Sequence, residues 1–412
     1  MAKRRSLWLV FVLCIVATGV FSYAAYRVYT FHRPAPPAFP RIEISNEGIS
    51  TSDIKDNGKD VRYNANLAID SVNLYRAIEL KGRGNSTFSE KKMPFQVKFS
   101  EKIDLYGLGK SRKWVLLANL FDDSNLRNAM AFYLERMLGE KYALNGRFVE
   151  LWYNGENQGL YYLTPKVEIE KTRVDLRDPY GILVEYDALN YRNKVCYKTA
   201  QGRCLTISDV VSEDNSEAAM QSFLKSYNKL MAAAEVGDYT TIKKLADIES
   251  LAIFFLIQEF TVNPDGYASS LYLYKDGFSD KIHAGPGWDF DYAFGNKNWL
   301  WAMDDDFYSP HETQHQRQWN DKALCKLFYL LTDIPEFSEE VKKIFNERMS
   351  GKKAEMMNYF IQTASEIKDY ALYNNIQHDL KNYIEEIYEL GDWISSRFDH
   401  FEKTYGRKLE DL

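Results

Sequence analysis

Four cysteines in 412 residues, with no CxxC and no Cys/His cluster, leave a structural zinc site without ligands. An excess of positive charge is also missing. Lysine and arginine number 52 against 58 aspartates and glutamates, and the net charge of -6 excludes general nucleic-acid binding. No internal repeat is visible. The glycine-rich basic turn Lys81-Gly82-Arg83-Gly84 is neither a P-loop nor a dinucleotide fingerprint.

What is present begins with a stretch free of charge. Lys3, Arg4 and Arg5 precede residues 6–26, 21 positions without a charge. A helix of that length reaches about 31 Å, enough to cross the hydrocarbon core. A proline-rich stretch follows at 34–40. The pattern predicts either an uncleaved signal anchor or a cleaved signal peptide, with the bulk of the chain extracytoplasmic by the positive-inside bias. The expected layout is a cytoplasmic flank at 1–5, a single-pass transmembrane anchor at 6–26, a linker at 27–40 and a folded domain at 41–405. Cys14 then reads as a membrane residue. Cys196 and Cys204 bracket a hairpin turning near Gln201-Gly202, and in an exported chain they are either a disulfide or two free thiols. Aromatics make up 15% of the chain, with 29 tyrosines, a level that suits exported domains and glycan-binding surfaces but also simply packs cores.

About 370 residues beyond the linker suit one elaborate domain or two lobes with a cleft. The first half reads as sheet. Residues 41–44 alternate, 66–70 and 74–80 follow, and 93–99 place Phe95, Val97 and Phe99 on one face and Gln96 and Lys98 on the other. A helix capped by Asp123 or Ser124 carries the stripe Leu126, Met130, Tyr133, Leu134 and Met137, and Gly139 closes it. Strands 148–153 and 159–163 form a hairpin about Asn154-Gly155, and 181–186 is a further strand. Helices are expected at 213–236 and 241–260, a small hairpin at 269–284, and helices again to about 405. The fold class is therefore α+β, a strand-rich lobe at 41–190 and a mainly helical lobe at 191–405, with the functional cleft between them.

Two segments carry candidate chemistry. In Lys81-Gly82-Arg83-Gly84-Asn85-Ser86-Thr87, glycines let the backbone approach a ligand and two cations stand beside exposed amides, which suits phosphate or an ordinary basic turn. In Gly287-Trp288-Asp289-Phe290-Asp291, extended backbone would point both carboxylates the same way, close enough to share a hard cation such as Mg²⁺. Asn263-Pro264-Asp265-Gly266 is by pattern a turn, and it gains interest from the acid pair that follows.

These segments resemble the spore-coat CotH kinase-like family. The resemblance rests on residues 81–87 with Lys92-Met93-Pro94-Phe95, on Asn119 to Ser124 with Leu126-Arg127-Asn128, on Tyr153-Asn154-Gly155-Glu156 with Gly159-Leu160-Tyr161, and on 287–291 with Phe294-Gly295. It implies a divergent protein-kinase-like bilobal fold that transfers phosphoryl groups from ATP, with Mg²⁺ or Mn²⁺, to Ser or Thr of exported, coat or envelope proteins. It also implies roles: Asp265 orients the acceptor hydroxyl, Asp289 and Asp291 hold metal, Lys98, Lys81 and Arg83 meet the nucleotide phosphates, and Glu135 orients the lysine. Two residues depart from the family pattern. Ser269-Ser270 stands where an asparagine pair is common, and Pro165 where a glutamate is, which weakens a second metal ligand and a base-docking donor. A membrane-anchored scaffold binding a surface partner, or a transferase acting on a surface saccharide, are the alternatives.

Overall fold

The computed structural model describes residues 39–69, 74–187, 194–296 and 325–407. Seven strands open the chain: β1 (Arg41–Ser45), β2 (Tyr63–Ile69), β3 (Leu74–Gly82), β4 (Phe95–Asp104), β5 (Lys110–Leu117), β6 (Arg147–Tyr153) and β7 (Glu156–Pro165). They close into a barrel in the order β1-β2-β3-β4-β5-β7-β6, shut by parallel pairing of β1 with β6. Alternation explains which side chains fill it. Phe95, Val97 and Phe99 of β4 turn inward with Leu67, Leu80, Trp114, Leu151 and Tyr161, while Lys98 faces out. The hairpin of β6 and β7 turns where expected, with Asn154 and Gly155 at φ 50° and 80°.

Two helices interrupt the barrel strands, a short α1 (Thr51–Asn57) and the buried α2 (Arg127–Leu138). α2 is initiated by Asp122, whose carboxylate accepts the Arg127 amide at 2.8 Å, while the Ser124 hydroxyl accepts the Leu126 amide at 3.2 Å. Gly139 closes it in the left-handed region at φ 78°, as its sequence position predicts.

A second sheet follows, built from β8 (Gly181–Tyr186), β9 (Tyr197–Lys198), β10 (Cys204–Val210), β11 (Leu271–Asp276) and β12 (His283–Ala284) in the order β12-β11-β8-β10-β9. Around it lie α3 (Ser216–Glu235), α4 (Tyr239–Leu245), α5 (Ile248–Thr261), α6 (Leu327–Thr332), α7 (Pro335–Arg348), α8 (Lys353–Gln377) and α9 (Tyr383–Tyr405). The single helix expected over 241–260 is two. Ala246 leaves the helix to bridge Ile282, and Asp247 restarts it by accepting the Ser250 amide at 2.9 Å. α5 is then buried from Leu251 to Thr261 and forms the centre of this lobe's core.

The two parts are joined by a buried polar network. Lys92 Nζ, 1% exposed, donates to the carbonyls of Ala118 and Leu160 and, at 2.7 Å, to Asn374 Oδ1 on α8. Asn374 donates to Asn125 Oδ1, Asn125 to Asn375 Oδ1, and Asn375 to the Asp123 carbonyl at 2.7 Å. The Lys92 amine thus has three acceptors, which is the condition for burying such a group.

The expected fold class needs correction. The mixed α+β character stands, with a barrel lobe first and a helical lobe after it, but no transmembrane helix accompanies them among the described residues. Residues 6–26, where the anchor was expected, lie outside the described residues. Among the described residues no helix is long and apolar enough to cross a membrane, which overturns the single-pass anchoring, the membrane as a partner and the localisation built on them. Length and charge are the reasons. The most apolar helix, α5, has 14 residues and rises only about 21 Å against a hydrocarbon core of roughly 30 Å. α8 and α9, with 25 and 23 residues, are long enough but carry acids and bases along their length.

Candidate active site

The acid-bearing loop after β12 is clamped from one side by α2. Gly287 donates its amide to Glu135 Oε1 at 2.6 Å, and Phe290 donates to Asn128 Oδ1 at 3.0 Å. Glu135 and Asn128 stand seven residues apart, two turns along one helix face. Trp288 and Phe290 pack against Phe132 of the same helix, with ring centroids 6.2 Å away in both cases. Asp289 and Asp291 alternate with these rings in sequence, and their two carboxyls are hydrogen-bonded to each other. Asp289 holds φ at 66°, a left-handed conformation that costs a non-glycine residue and persists only where its surroundings impose it. The far end of the loop is fixed by Arg127 Nε, which donates to the Ala293 carbonyl at 2.9 Å, and by the Phe294 amide, which donates to Thr261.

Asp265 arrives from the C-terminal end of α5. Val262 ends that helix in the left-handed region, and Asn263 then bridges the two acid-bearing turns. Its Oδ1 accepts the Asp265 amide at 3.2 Å and its Nδ2 donates to the Asp289 carbonyl at 3.3 Å. Gly266 is required by close approach, since a Cβ there would lie 1.9 Å from Gln258 Oε1. The amides of Ala268, Ser269 and Ser270 all donate to the Asp265 carbonyl, so the serine pair serves this turn through its backbone.

Negative charge accumulates here. Burial, then the charge of Asp289, pushes the Asp265 carboxyl up to about 7, opposed by a hydrogen bond from Ser269. Burial raises Asp289, with Arg83 and a hydrogen bond from Asp291 pulling the other way. Asp291 is raised well above the carboxylate range by burial and then by Asp289, Asp265 and Asp122. Three carboxyls thus repel one another in a shielded place, and each holds a proton more tightly than usual. A cation would relieve that repulsion.

Among the described residues, no group of three or more His, Cys, Asp or Glu side chains is arranged to hold a metal ion. The residues nonetheless fit Mg²⁺ or Mn²⁺ of the kind that is bound through one or two carboxylates and completed by substrate phosphates. Asp289, partly exposed, and Asp291, buried, are hydrogen-bonded to each other, and their crowded carboxyls have the chemistry of a hard-cation acceptor.

The cations expected beside them divide. Arg83 is brought in: its guanidinium stacks 4.9 Å from the Trp288 ring centroid and feels the charges of Tyr272, Asp289 and Glu185. Lys81, one residue pair away on β3, lies near Asp60, Arg62 and Lys59, and burial lowers its ammonium. Lys98 sits on the barrel exterior, 3.3 Å from Glu79, which also pairs with Arg62. Glu135 meets the Gly287 amide, not a lysine. Burial, then Glu140, raises its carboxyl well above the usual range. Cys196 and Cys204 are disulfide-bonded with Cα atoms 5.3 Å apart, joining the ends of the β9–β10 hairpin.

Several neighbours were not singled out from the sequence. Lys194 pairs with Glu185 at 2.5 Å and Asp187 at 3.5 Å, and Asp187 in turn adds to the field on Asp265. Lys166, just past β7, is lowered by burial and lies within the field of Arg83. Asn128 and Asn263 act on backbone groups, and a lone asparagine gives no pattern to detect. Glu185 had a weak signal, as an acid within an otherwise apolar strand.

A family model described as CotH kinase protein matches residues 80–401, a span that contains Arg83, α2, Asp265 and the acid loop. No curated protein matches the chain.

Proposed function

The chain belongs to the CotH kinase protein family, and from that premise we propose that it transfers the terminal phosphoryl group of ATP to a Ser or Thr hydroxyl. Membership is consistent with a kinase-type activity in general. The observation that carries the finer reading is the convergence of Asp265, Asp289 and Asp291 in one shielded cluster, open at Asp265 and Asp289, whose mutual repulsion calls for a cation.

In this reading Asp289 and Asp291 hold Mg²⁺ or Mn²⁺, which when bound neutralises charge on the transferred group. The loop that carries them needs no rearrangement, because Glu135, Asn128 and Asn263 already fix its backbone. Asp265 accepts the hydrogen bond of the acceptor hydroxyl and orients its oxygen. Near pH 7 this carboxyl is poised between its two forms, suited to taking a proton as the oxygen attacks. Arg83 contributes positive charge to the phosphates, with Lys81 behind it and Lys98 outside the cluster. Ser270 supplies a short hydroxyl where an amide would serve a second metal, so a single ion is the simpler arrangement.

Incubation of the protein with terminal-labelled ATP and Mg²⁺ or Mn²⁺ tests this. Label should enter a Ser- or Thr-containing acceptor, or the chain itself, and Asp289→Ala should reduce it by roughly 10³-fold with the fold retained. Absence of both labelling and nucleotide-dependent thermal shift would replace catalysis with a binding role for the same fold.

A further inference from the structure

Arg83 is half-buried, and it is held in an unusual way for a cation whose donors are partly shielded from water. Its amide donates to the Pro94 carbonyl at 3.0 Å, and the glycines on either side let the turn pack closely: a Cβ on Gly82 would lie 2.4 Å from the Phe88 ring, and Gly84 has φ 95°. The guanidinium lies over Trp288, the residue immediately before Asp289. Yet Nη1 is buried with no hydrogen-bond partner, and among the described residues no hydrogen-bonded ion pair joins Arg83 to Asp289. Lys92, a buried cation of this region of sequence, has three acceptors. A buried guanidinium N–H left open is costly unless an acceptor arrives, and the acceptor suited to a planar fork is an oxyanion.

We propose that Arg83 is a counter-cation shared between Asp289 and a phosphate oxyanion. With no anion bound, it offsets the charge of Asp289 and so opposes a divalent cation there. When a phosphate group arrives it takes the open N–H, the guanidinium's charge is neutralised by the oxyanion and no longer offsets that of Asp289, and Asp289 becomes the better ligand for metal. The stack on Trp288 holds the guanidinium in place throughout. This rests on the phosphoryl-transfer reading and adds a property that reading does not require: cation and anion are linked through one side chain.

The signature is a single substitution that moves two affinities in opposite directions. Mn²⁺ binding to the full chain without nucleotide, and ADP binding in excess EDTA, are measured separately by calorimetry. Arg83→Gln should tighten Mn²⁺ by roughly 5-fold and weaken ADP by roughly 10-fold or more. Arg83→Lys, keeping the charge without the fork, should leave Mn²⁺ affinity within about 2-fold while still weakening ADP. It also covers the case where glutamine fails to fold. If Arg83→Gln weakens both ligands or neither, the shared-cation proposal is overturned while phosphoryl transfer stands. If the wild-type chain binds neither Mn²⁺ nor ADP, both fall.

Discussion

Two shielded polar clusters in this chain are built from similar residues and differ in what they lack. Around Lys92, an ammonium meets three acceptors and the asparagines at 125, 374 and 375 exchange hydrogen bonds in a closed circuit. Around Asp289, three carboxyls crowd one another, and the nearest guanidinium leaves an N–H unused. The first cluster is complete within the protein and ties the barrel to α8. The second is incomplete, and its deficits are of both signs: negative charge without a cation, and a donor without an anion. Completeness separates architecture from a site more sharply than burial does, because both clusters are shielded from water.

The contrast can be broken experimentally. Lys92→Met should cost about 3 kcal/mol of stability in urea unfolding, by stranding three acceptors, and leave nucleotide affinity of the folded fraction unchanged. A parallel loss of affinity would mean the two clusters are not separable. A smaller effect is expected from pH on the metal-free protein. Asp265 keeps its proton up to about 7 when folded and loses it near 3.8 when unfolded, so native chains bind more protons between those values. Stability should therefore fall as pH rises from about 4 to 7, and Asp265→Asn should flatten that slope in thermal melts. Asp291→Asn removes one carboxyl from the crowded set and, at a pH high enough to ionise that carboxyl, should raise metal-free stability by about 1 kcal/mol while reducing the thermal shift given by Mn²⁺. Smallest of all is Lys98→Ala. Its exposed pair with Glu79 is worth at most about 0.5 kcal/mol, and ADP affinity should stay within about 2-fold.

Much of this arrangement was readable in the sequence. Period-two alternation in β4 and the Asn154-Gly155 turn located barrel strands, because both signals are local. Closure was not local. The pairing of Ile44 with Tyr153 joins segments more than a hundred residues apart, and no pattern in either segment announces it. That gap misdirected Lys98, whose outward face was legible while what lay outside that face was not. Asp289, Asp291 and Arg83 were legible as turn residues, since glycines flank Arg83 and aromatics flank both acids, while the roles given to them are a proposal. Glu135 was found for its place on α2, but it reaches a backbone amide, a partner that leaves no mark on the sequence. The break at Ala246 was hidden by the helix propensity around it, and a bridge to Ile282 overrode that propensity.

The closed barrel bears on how an acceptor polypeptide can be recognised. A sheet normally offers unpaired backbone along its outermost strands, where an extended peptide can add itself as one more strand. Here the barrel has no outermost strand, and those of the second sheet, β9 and β12, are two residues long. Among the described residues, then, there is little template for strand addition. Under the proposed phosphoryl transfer, selection of a substrate would fall to side-chain fit around Asp265, and the same lack of open edges disfavours pairing of the described strands with copies of themselves.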